Sequence, residues 1–363
     1  MNYLTIFLAV LLGSFNPQLD GDYVFRPHTG FGISAGYTLT VDDIRLNPGV
    51  EYTGAYKPST WSSDLLTGPR QAHRAALGLS YGPFALNLSQ EFGSSLKESL
   101  SGSLGFHADT YTLDVQYTGF AAMPRADSPF TLWYPFGSGS QGAPVSSSAR
   151  IRSLAVNGEY AFSRQFTLLS VYDGRSVQRR SHGSWLVAAG YRRGWEVLDA
   201  EDTQLIYVMR RFGRFATDQV SLGGGYAFNW VLFHRDAESP ADLQGLRNLT
   251  FNITAIPLLT CYNGALSQQY KERYDWGFEP GPYTEEIAKS YRSCGRIQPN
   301  FTVRTGLVYH VGRFFVNACA SYSRFALSGK QVRIESSGQG AAFFSLNKTA
   351  ADWTVSLRLN YLF

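Results

Sequence analysis

The chain ends in Trp353-Thr-Val-Ser-Leu-Arg-Leu-Asn-Tyr-Leu-Phe363, and this stretch decides the fold. Apolar side chains alternate with Thr, Ser, Arg and Asn up to Tyr361, which is the period of a β-strand with one apolar face. A closed membrane barrel needs a last strand that pairs with its first strand and shows one apolar face to lipid. The stretch therefore predicts the closing strand of an all-β, antiparallel, up-and-down transmembrane barrel.

The same ending resembles the C-terminal strand by which bacterial outer-membrane barrels are recognised and inserted. The resemblance implies that Trp353, Tyr361 and Phe363 form an assembly signal and that the barrel-assembly machinery is a partner. It also implies location in the bacterial outer membrane, so that outer-membrane lipid and lipopolysaccharide are expected neighbours.

Composition agrees with a single barrel. The 363 residues contain no Pro-rich, Ser-rich or charged linker, so we expect one domain over residues 19–363. Aromatic residues make up 15% of the chain, as expected where rings form girdles at both lipid interfaces. The mean hydropathy of -0.16 is too low for a helical membrane protein. A net charge of +4 is too small to indicate nucleic-acid binding.

The N-terminus carries an export signal in our interpretation. Residues 3–15 form an apolar run that is too short to span a bilayer as a helix, and polar residues follow it. We expect residues 1–18 to be a signal peptide, although the cleavage site is not defined by the sequence.

Alternation with a period of two continues along most of the chain and predicts about 14 strands, with 12 or 16 as open alternatives. The predicted strands centre on residues 31–40, 77–81, 84–88, 104–106, 111–117, 154–162, 166–172, 185–191, 205–209, 220–228, 251–255, 301–309, 316–322 and 353–363.

Connections of two lengths separate these strands. Very short ones are expected on the periplasmic side, at 82–83, 108–109, 163–164 and 311–312. Long extracellular loops are expected near 41–72, 119–150, 258–297 and 325–351. Residues 47–56 and 331–346 could be further strands or hairpin extensions above the membrane.

The segment Gln178-Arg-Arg-Ser-His-Gly-Ser-Trp-Leu-Val-Ala-Ala-Gly190 resembles a motif of the domain-of-unknown-function family 4421, outer-membrane barrels of Bacteroidota. Residues 151–162 and 221–230 resemble the strands on either side of that motif, and the likeness extends over 75–363. His182 departs from the pattern, which has Ala there. The family has no assigned activity, so the resemblance implies fold and location only.

Polar residues in alternation with the apolar ones are expected to face the lumen. The main candidates are Asp114, Glu159, Arg192, Arg304, His310 and Arg358. Such groups are costly to bury unless they are paired or hydrated. Two functions follow: a passive channel or transporter for small solutes, or a plugged structural or binding barrel whose extracellular loops contact a ligand, glycan or partner protein.

Neither catalysis nor metal binding is indicated. Ser181 and His182 are adjacent on one strand and point to opposite faces, while His182 and Ser184 share a face but diverge along the strand. The six histidines are scattered without ligand spacing. We therefore expect no enzyme, no metal and no cofactor.

The cysteines suggest one disulfide. Cys261 and Cys294 lie in the same predicted loop, whereas Cys319 lies on a strand. An oxidising compartment would allow the first two to pair, which is a hypothesis because their distance cannot be judged from sequence.

Overall fold

The structure is a computed structural model. It describes residues 19–363 except for 28–29, 55–58, 63, 67–69, 94–98, 123–124, 128–148, 173, 202–205, 207–208, 210, 238–242, 273–282 and 338–339. The predicted signal peptide lies outside the described residues, as does most of the predicted loop at 119–150.

The described residues form strands almost throughout. These are β1 Val24–Phe25, β2 Phe31–Gly54, β3 Ser59–Ser62, β4 Asp64–Leu66, β5 Arg70–Tyr81, β6 Phe84–Glu91, β7 Leu100–His107, β8 Tyr111–Ala122, β9 Arg125–Asp127, β10 Ala149–Ala161, β11 Val177–Gln178, β12 His182–Val197, β13 Phe212–Arg235, β14 Arg247–Glu272, β15 Tyr283–Cys294, β16 Gln298–Val311, β17 Phe314–Ser328, β18 Val332–Ser337 and β19 Gly340–Leu362. A short helix, α1, spans Leu169–Tyr172 in the part of the chain that the structure describes. No helix in the described part of the chain is long and apolar enough to cross a membrane.

Twelve of the described strands close into a barrel wall. In ring order they are β2, β5, β6, β7, β8, β10, β12, β13, β14, β16, β17 and β19. All neighbours pair antiparallel, and β19 closes the ring by pairing with β2 along residues 32–54. The amide of Phe363 donates to the carbonyl of Phe31 at 2.9 Å, which extends the seam to the last residue. The predicted pairing of the last strand with the first is confirmed.

The outer surface of this wall is apolar. On β19, Trp353, Leu357 and Leu359 are each more than half exposed, whereas the alternate residues face the interior. This apolar outer surface is called the apolar belt. Exposed aromatic rings lie at its two ends, for example Tyr81 and Phe84 at one end and Trp353 at the other. Such a surface is stable only in lipid, and aromatic girdles mark the two lipid interfaces. The protein is therefore an outer-membrane β-barrel with short periplasmic turns and long extracellular connections.

The count of twelve is one of the alternatives that the sequence left open, and it is two fewer than fourteen because two predicted strands do not belong to the wall. The first, 166–172, is an irregular segment that ends in α1, and β10 pairs directly with β12. The predicted turn at 163–164 is therefore wrong. The second predicted strand, 205–209, has only two described residues, Ile206 and Met209, and both are fully buried. The short turn at 82–83 is confirmed, and the turns predicted at 108–109 and 311–312 are present with slightly different bounds, 108–110 and 312–313.

Several strands continue beyond the membrane on the extracellular side. β2 pairs with β3 above the belt, and β18 pairs with the first residues of β19. The described residues 332–337 and 340–346 thus form a hairpin extension rather than an additional membrane strand, and residues 47–54 belong to the extension of β2. Of the predicted segment 47–56, the last two residues lie outside the described residues. β15 is added to the upper half of β14 in the same way.

Glycine is required where β13 and β14 pack most closely. A Cβ at Gly225 would lie 2.2 Å from the carbonyl oxygen of Ala255, whereas a Cβ at Gly224 would have its nearest contact, the Leu186 carbonyl, at 3.4 Å.

We predict that Gly225→Ala destabilises the barrel by about 1–3 kcal/mol, because the backbone of the neighbouring strand must move. Gly224→Ala is the matched control and should have little effect. Urea unfolding in detergent micelles measures both, and equal stability of the two variants would contradict the packing argument.

Candidate functional site

The lumen of the barrel is crossed by ion pairs. Arg192 on β12 donates from Nη2 to Asp352 Oδ2 on β19 at 2.9 Å. These two strands are separated by five steps along the ring of twelve, so they lie almost opposite each other. Side chains from opposite walls therefore meet in the middle of the lumen.

A second pair joins the same two strands. Lys348 Nζ donates to Glu196 Oε1 at 2.5 Å and to Thr217 Oγ1 at 3.2 Å. The Glu196 residue is only 1% exposed, so its charge depends on the partner from the opposite wall. The two pairs together hold the walls of β12 and β19 at a fixed separation.

A third ion pair crosses the lumen between β16 and β10, which are four steps apart along the ring. Arg304 Nη2 donates to Glu159 Oε2 at 2.6 Å. Both residues were candidates for a lumen lining, and the structure brings them together although they are 145 residues apart in sequence.

A polar chamber of about 420 Å³ remains among these pairs, and we call it the central chamber. Of the candidate residues, Asp114, Glu159, Arg192 and Arg304 line it. Arg74 also lines the central chamber and is only 5% exposed, and its Nε and Nη2 atoms lack a hydrogen-bond partner among the described residues. A buried guanidinium of this kind requires water or a polar solute beside it.

The periplasmic end of the lumen is filled by chain. Three segments turn inward there, residues 19–27, 162–181 and 236–246 with the undescribed positions left out, and we call them the periplasmic plug. Phe166 and Leu168 are buried against wall residues of β12, β13 and β14. Phe25, Val177 and Leu243 pack against β16, β17 and β19. Apolar packing thus attaches the described residues of the plug to the wall on two sides.

A hydrogen-bond network centred on Gln178 joins the segments of the periplasmic plug. Its side chain accepts from the Thr167 amide and from Asn229 Nδ2, each at 3.2 Å. Its Nε2 donates to the Gln165 carbonyl at 2.6 Å and to the Tyr23 carbonyl at 3.3 Å. Because Gln178 is fully buried and its amide is satisfied, the network fixes the plug to the wall at Asn229.

Two candidate lumen residues contact other groups instead of the central chamber. His310 is buried, stacks on Phe315 with ring centroids 4.9 Å apart, and lies 3.1 Å from the Gly174 carbonyl of the plug. Arg358 donates to Asn87 Oδ1 at 2.9 Å, three wall strands away. Both side chains face the interior of the barrel, but His310 packs against the plug and Arg358 bonds to another wall strand.

An apolar cluster lies at the extracellular end of the lumen. We call it the extracellular cluster; it includes Leu46, Leu198, Ile206, Met209, Phe212, Tyr270, Phe344 and Leu346. The rings of Phe212 and Phe344 stack with centroids 4.7 Å apart. Tyr270 donates its hydroxyl to the Leu198 carbonyl at 2.8 Å, and burial raises the pKa of this hydroxyl, so it stays protonated. The described residues Leu198, Ile206 and Met209 of the connection between β12 and β13 therefore pack inside the mouth of the barrel.

The serines and the histidine of the sequence motif have structural contacts. The Ser181 hydroxyl accepts from the Val231 amide at 2.9 Å, and the Ser184 hydroxyl accepts from the Ser163 amide at 3.0 Å. His182 meets the ring of Tyr23 edge-on at 5.4 Å. Within the described residues, no group of three or more His, Cys, Asp or Glu side chains could hold a metal ion.

Cys261 and Cys294 are both free in the structure. Cys294 is paired with Gly264, three residues along β14 from Cys261. Three residues of strand span about 10 Å, whereas a disulfide requires Cα atoms within about 7 Å. The predicted disulfide is therefore not formed in this geometry.

The polar residues that hold the periplasmic plug are not among the site residues predicted from the sequence. Asn229, Asn248 and Asn252 occupy inward positions near the periplasmic ends of β13 and β14. Asn252 Nδ2 donates to Asn229 Oδ1 at 2.7 Å, and Asn248 Nδ2 donates to the Gln178 carbonyl at 2.8 Å. In the sequence, these three Asn residues occupy lumen-facing positions of the strand alternation on two neighbouring strands. That pattern could have indicated a lumen filled with chain at this end.

Comparison with solved structures finds outer-membrane barrels. The outer membrane protease OmpT from Escherichia coli is 10% identical, with 93% of this chain and 98% of that chain covered and a TM-score of 0.37. A Pseudomonas aeruginosa FadL homologue is 11% identical, with 92% and 90% covered and a TM-score of 0.24. The Pseudomonas putida toluene transporter TodX is 9% identical, with 92% and 90% covered and a TM-score of 0.22. Similarity at this level does not extend to activity.

No curated protein matches the sequence. The family model described as "Domain of unknown function (DUF4421)" matches residues 18–343, which include eleven wall strands complete and the first residues of β19. The chain belongs to the DUF4421 family.

Proposed function

We propose that the protein is a plugged outer-membrane barrel with a binding or structural role, rather than a passive pore. The observation that carries this proposal is that opposite walls are joined across the lumen by Arg192–Asp352 and Lys348–Glu196. The periplasmic plug and the extracellular cluster close the lumen below and above these pairs. Among the described residues, three layers in series therefore oppose the passage of a hydrated solute.

The extracellular rim is the surface we assign to binding. β2, β14 and β19 extend above the apolar belt, and β3, β15 and β18 broaden the rim. Glu285 accepts from Arg150 at 3.1 Å and from Arg214 at 2.7 Å, so part of this rim carries organised charge. A ligand, a glycan or a partner protein would meet this rim first. Lipopolysaccharide and the barrel-assembly machinery remain predicted partners.

A gated channel is the second candidate, and the central chamber favours it. A chamber of about 420 Å³ has the size of a site for a small solute, and its lining is mixed in charge. Under this alternative, one of the closing layers would move during transport.

We predict that the purified wild-type barrel gives no steady current in planar lipid bilayers. Replacement of residues 164–180 or of residues 198–211 by a short Gly-Ser connector should leave it silent, because the layer at the other end still closes the lumen. The variant with both replacements should conduct in small discrete steps, because only the ion pairs then narrow the lumen. Single-channel recording measures each variant, and slower migration after heating on a denaturing gel confirms that each one folds.

Steady currents from the wild type would contradict the plugged barrel. Intermittent opening of the wild type, or current after loss of residues 164–180 alone, would favour the gated channel. Silence of the folded double variant would place the main closure at the ion pairs.

The ion pairs across the lumen should also be measurable in stability. Glu196→Gln leaves the Lys348 ammonium without its carboxylate partner at a site where both side chains are largely buried. We predict a loss of about 3 kcal/mol in the free energy of unfolding, measured with urea in micelles. Lys271→Gln is the matched control, because its pair with Glu286 is exposed and should contribute little. Equal effects of the two variants would show that the lumen pair does not brace the walls.

A further inference from the structure

Two arginines face each other at the periplasmic rim of the barrel. Arg235, the last residue of β13, is directly opposite Arg247, the first residue of β14. The preceding pair, His234 and Asn248, is turned inward, with Asn248 buried and its Nδ2 atom 3.2 Å from His234 Nδ1. Since adjacent residues of a strand point to opposite faces, both arginines point outward, and both are exposed.

This arrangement needs an anion. Like charges directly opposite in a β-ladder are destabilising, because their Cβ atoms are only about 5 Å apart. The nearest described carboxylate in sequence, Asp236, already accepts from His234 Nε2 at 2.9 Å and forms an ion pair with Arg179 at 2.8 Å. Neither Arg235 nor Arg247 has an ion pair with any described residue.

The pair lies at the edge of the apolar belt. Val311 is the partner of Arg247 on its other side and is 42% exposed, and Phe233 and Phe314 are exposed by 50% and 53%. The turn at 312–313 is held beside Arg247 by a hydrogen bond from the Gly312 amide to the Leu246 carbonyl at 2.8 Å, and it adds Arg313 to the same rim. This is the depth at which phospholipid phosphates meet a barrel, just beyond its aromatic girdle.

We propose that Arg235 and Arg247, with Arg313 beside them, bind the phosphate of a phospholipid in the periplasmic leaflet of the outer membrane. Guanidinium groups bind phosphate through paired hydrogen bonds, and one phosphate between two arginines relieves their repulsion. The acyl chains of the same lipid lie on Phe233, Val311 and Phe314. The site is independent of whether the lumen is open or closed.

The test is native mass spectrometry of the folded barrel in a nonionic detergent, titrated with phosphatidylglycerol. The double variant Arg235→Gln/Arg247→Gln should bind this lipid at least ten-fold more weakly than the wild type. The matched control is Arg45→Gln/Arg324→Gln, which removes the same charge from exposed positions of β2 and β17 at the opposite rim. The control should retain lipid binding close to that of the wild type. Slower migration after heating on a denaturing gel verifies that both double variants are folded.

Equal lipid binding by the two double variants would overturn the proposal, because the attraction would then depend only on net charge. Complete displacement of the lipid by an equal concentration of inorganic phosphate would also overturn it, since an anion without acyl chains would then satisfy the site. Retention of the lipid under that competition supports the assignment to a membrane phospholipid.

Discussion

The pairing of β19 with β2 is the interaction on which the rest of the structure depends. In hydrocarbon no water can satisfy a free amide or carbonyl, so a sheet survives there only when its first and last strands pair. The chain meets this condition along the whole of β19, and the seam reaches Phe363, whose amide donates to Phe31. Once the ring is closed, every residue of the wall faces either lipid or lumen, and the period of two in the sequence separates the two sets.

Closure of the ring creates an interior that must also be satisfied. A barrel of twelve strands is wider than the eight-stranded size that side chains alone fill, so its lumen holds water or inserted chain. Here the periplasmic plug fills one end and the extracellular cluster fills the other. Between them, charges that would be costly alone are paired across the lumen, as in Lys348 with Glu196. The lumen-facing charges of these pairs therefore connect opposite walls of the barrel.

The wall could be predicted from the sequence because its signal is local. Alternation over about ten residues identifies a membrane strand without any knowledge of its neighbours, and turns such as 82–83 fix the order of the strands. The inward side of Glu159, Arg192 and Arg304 follows from the same alternation. Their partners could not be predicted, because Arg192 and Asp352 are 160 residues apart and meet only through the number of strands and the curvature of the sheet.

The choice between twelve and fourteen strands and the choice between a channel and a plugged barrel depend on the same two segments. Phe166, Leu168 and Tyr172 alternate with other residues much as a wall strand does, and nothing local distinguishes an apolar segment that faces lipid from one that enters the lumen. The segment at 205–209 is ambiguous for the same reason, and its described residues Ile206 and Met209 belong to the extracellular cluster. If the segments 166–172 and 205–209 were wall strands, the barrel would be wider and these residues would not enter its lumen. Assigned to the interior, they give twelve strands and place chain inside the lumen, so the number of strands and the content of the lumen are one question.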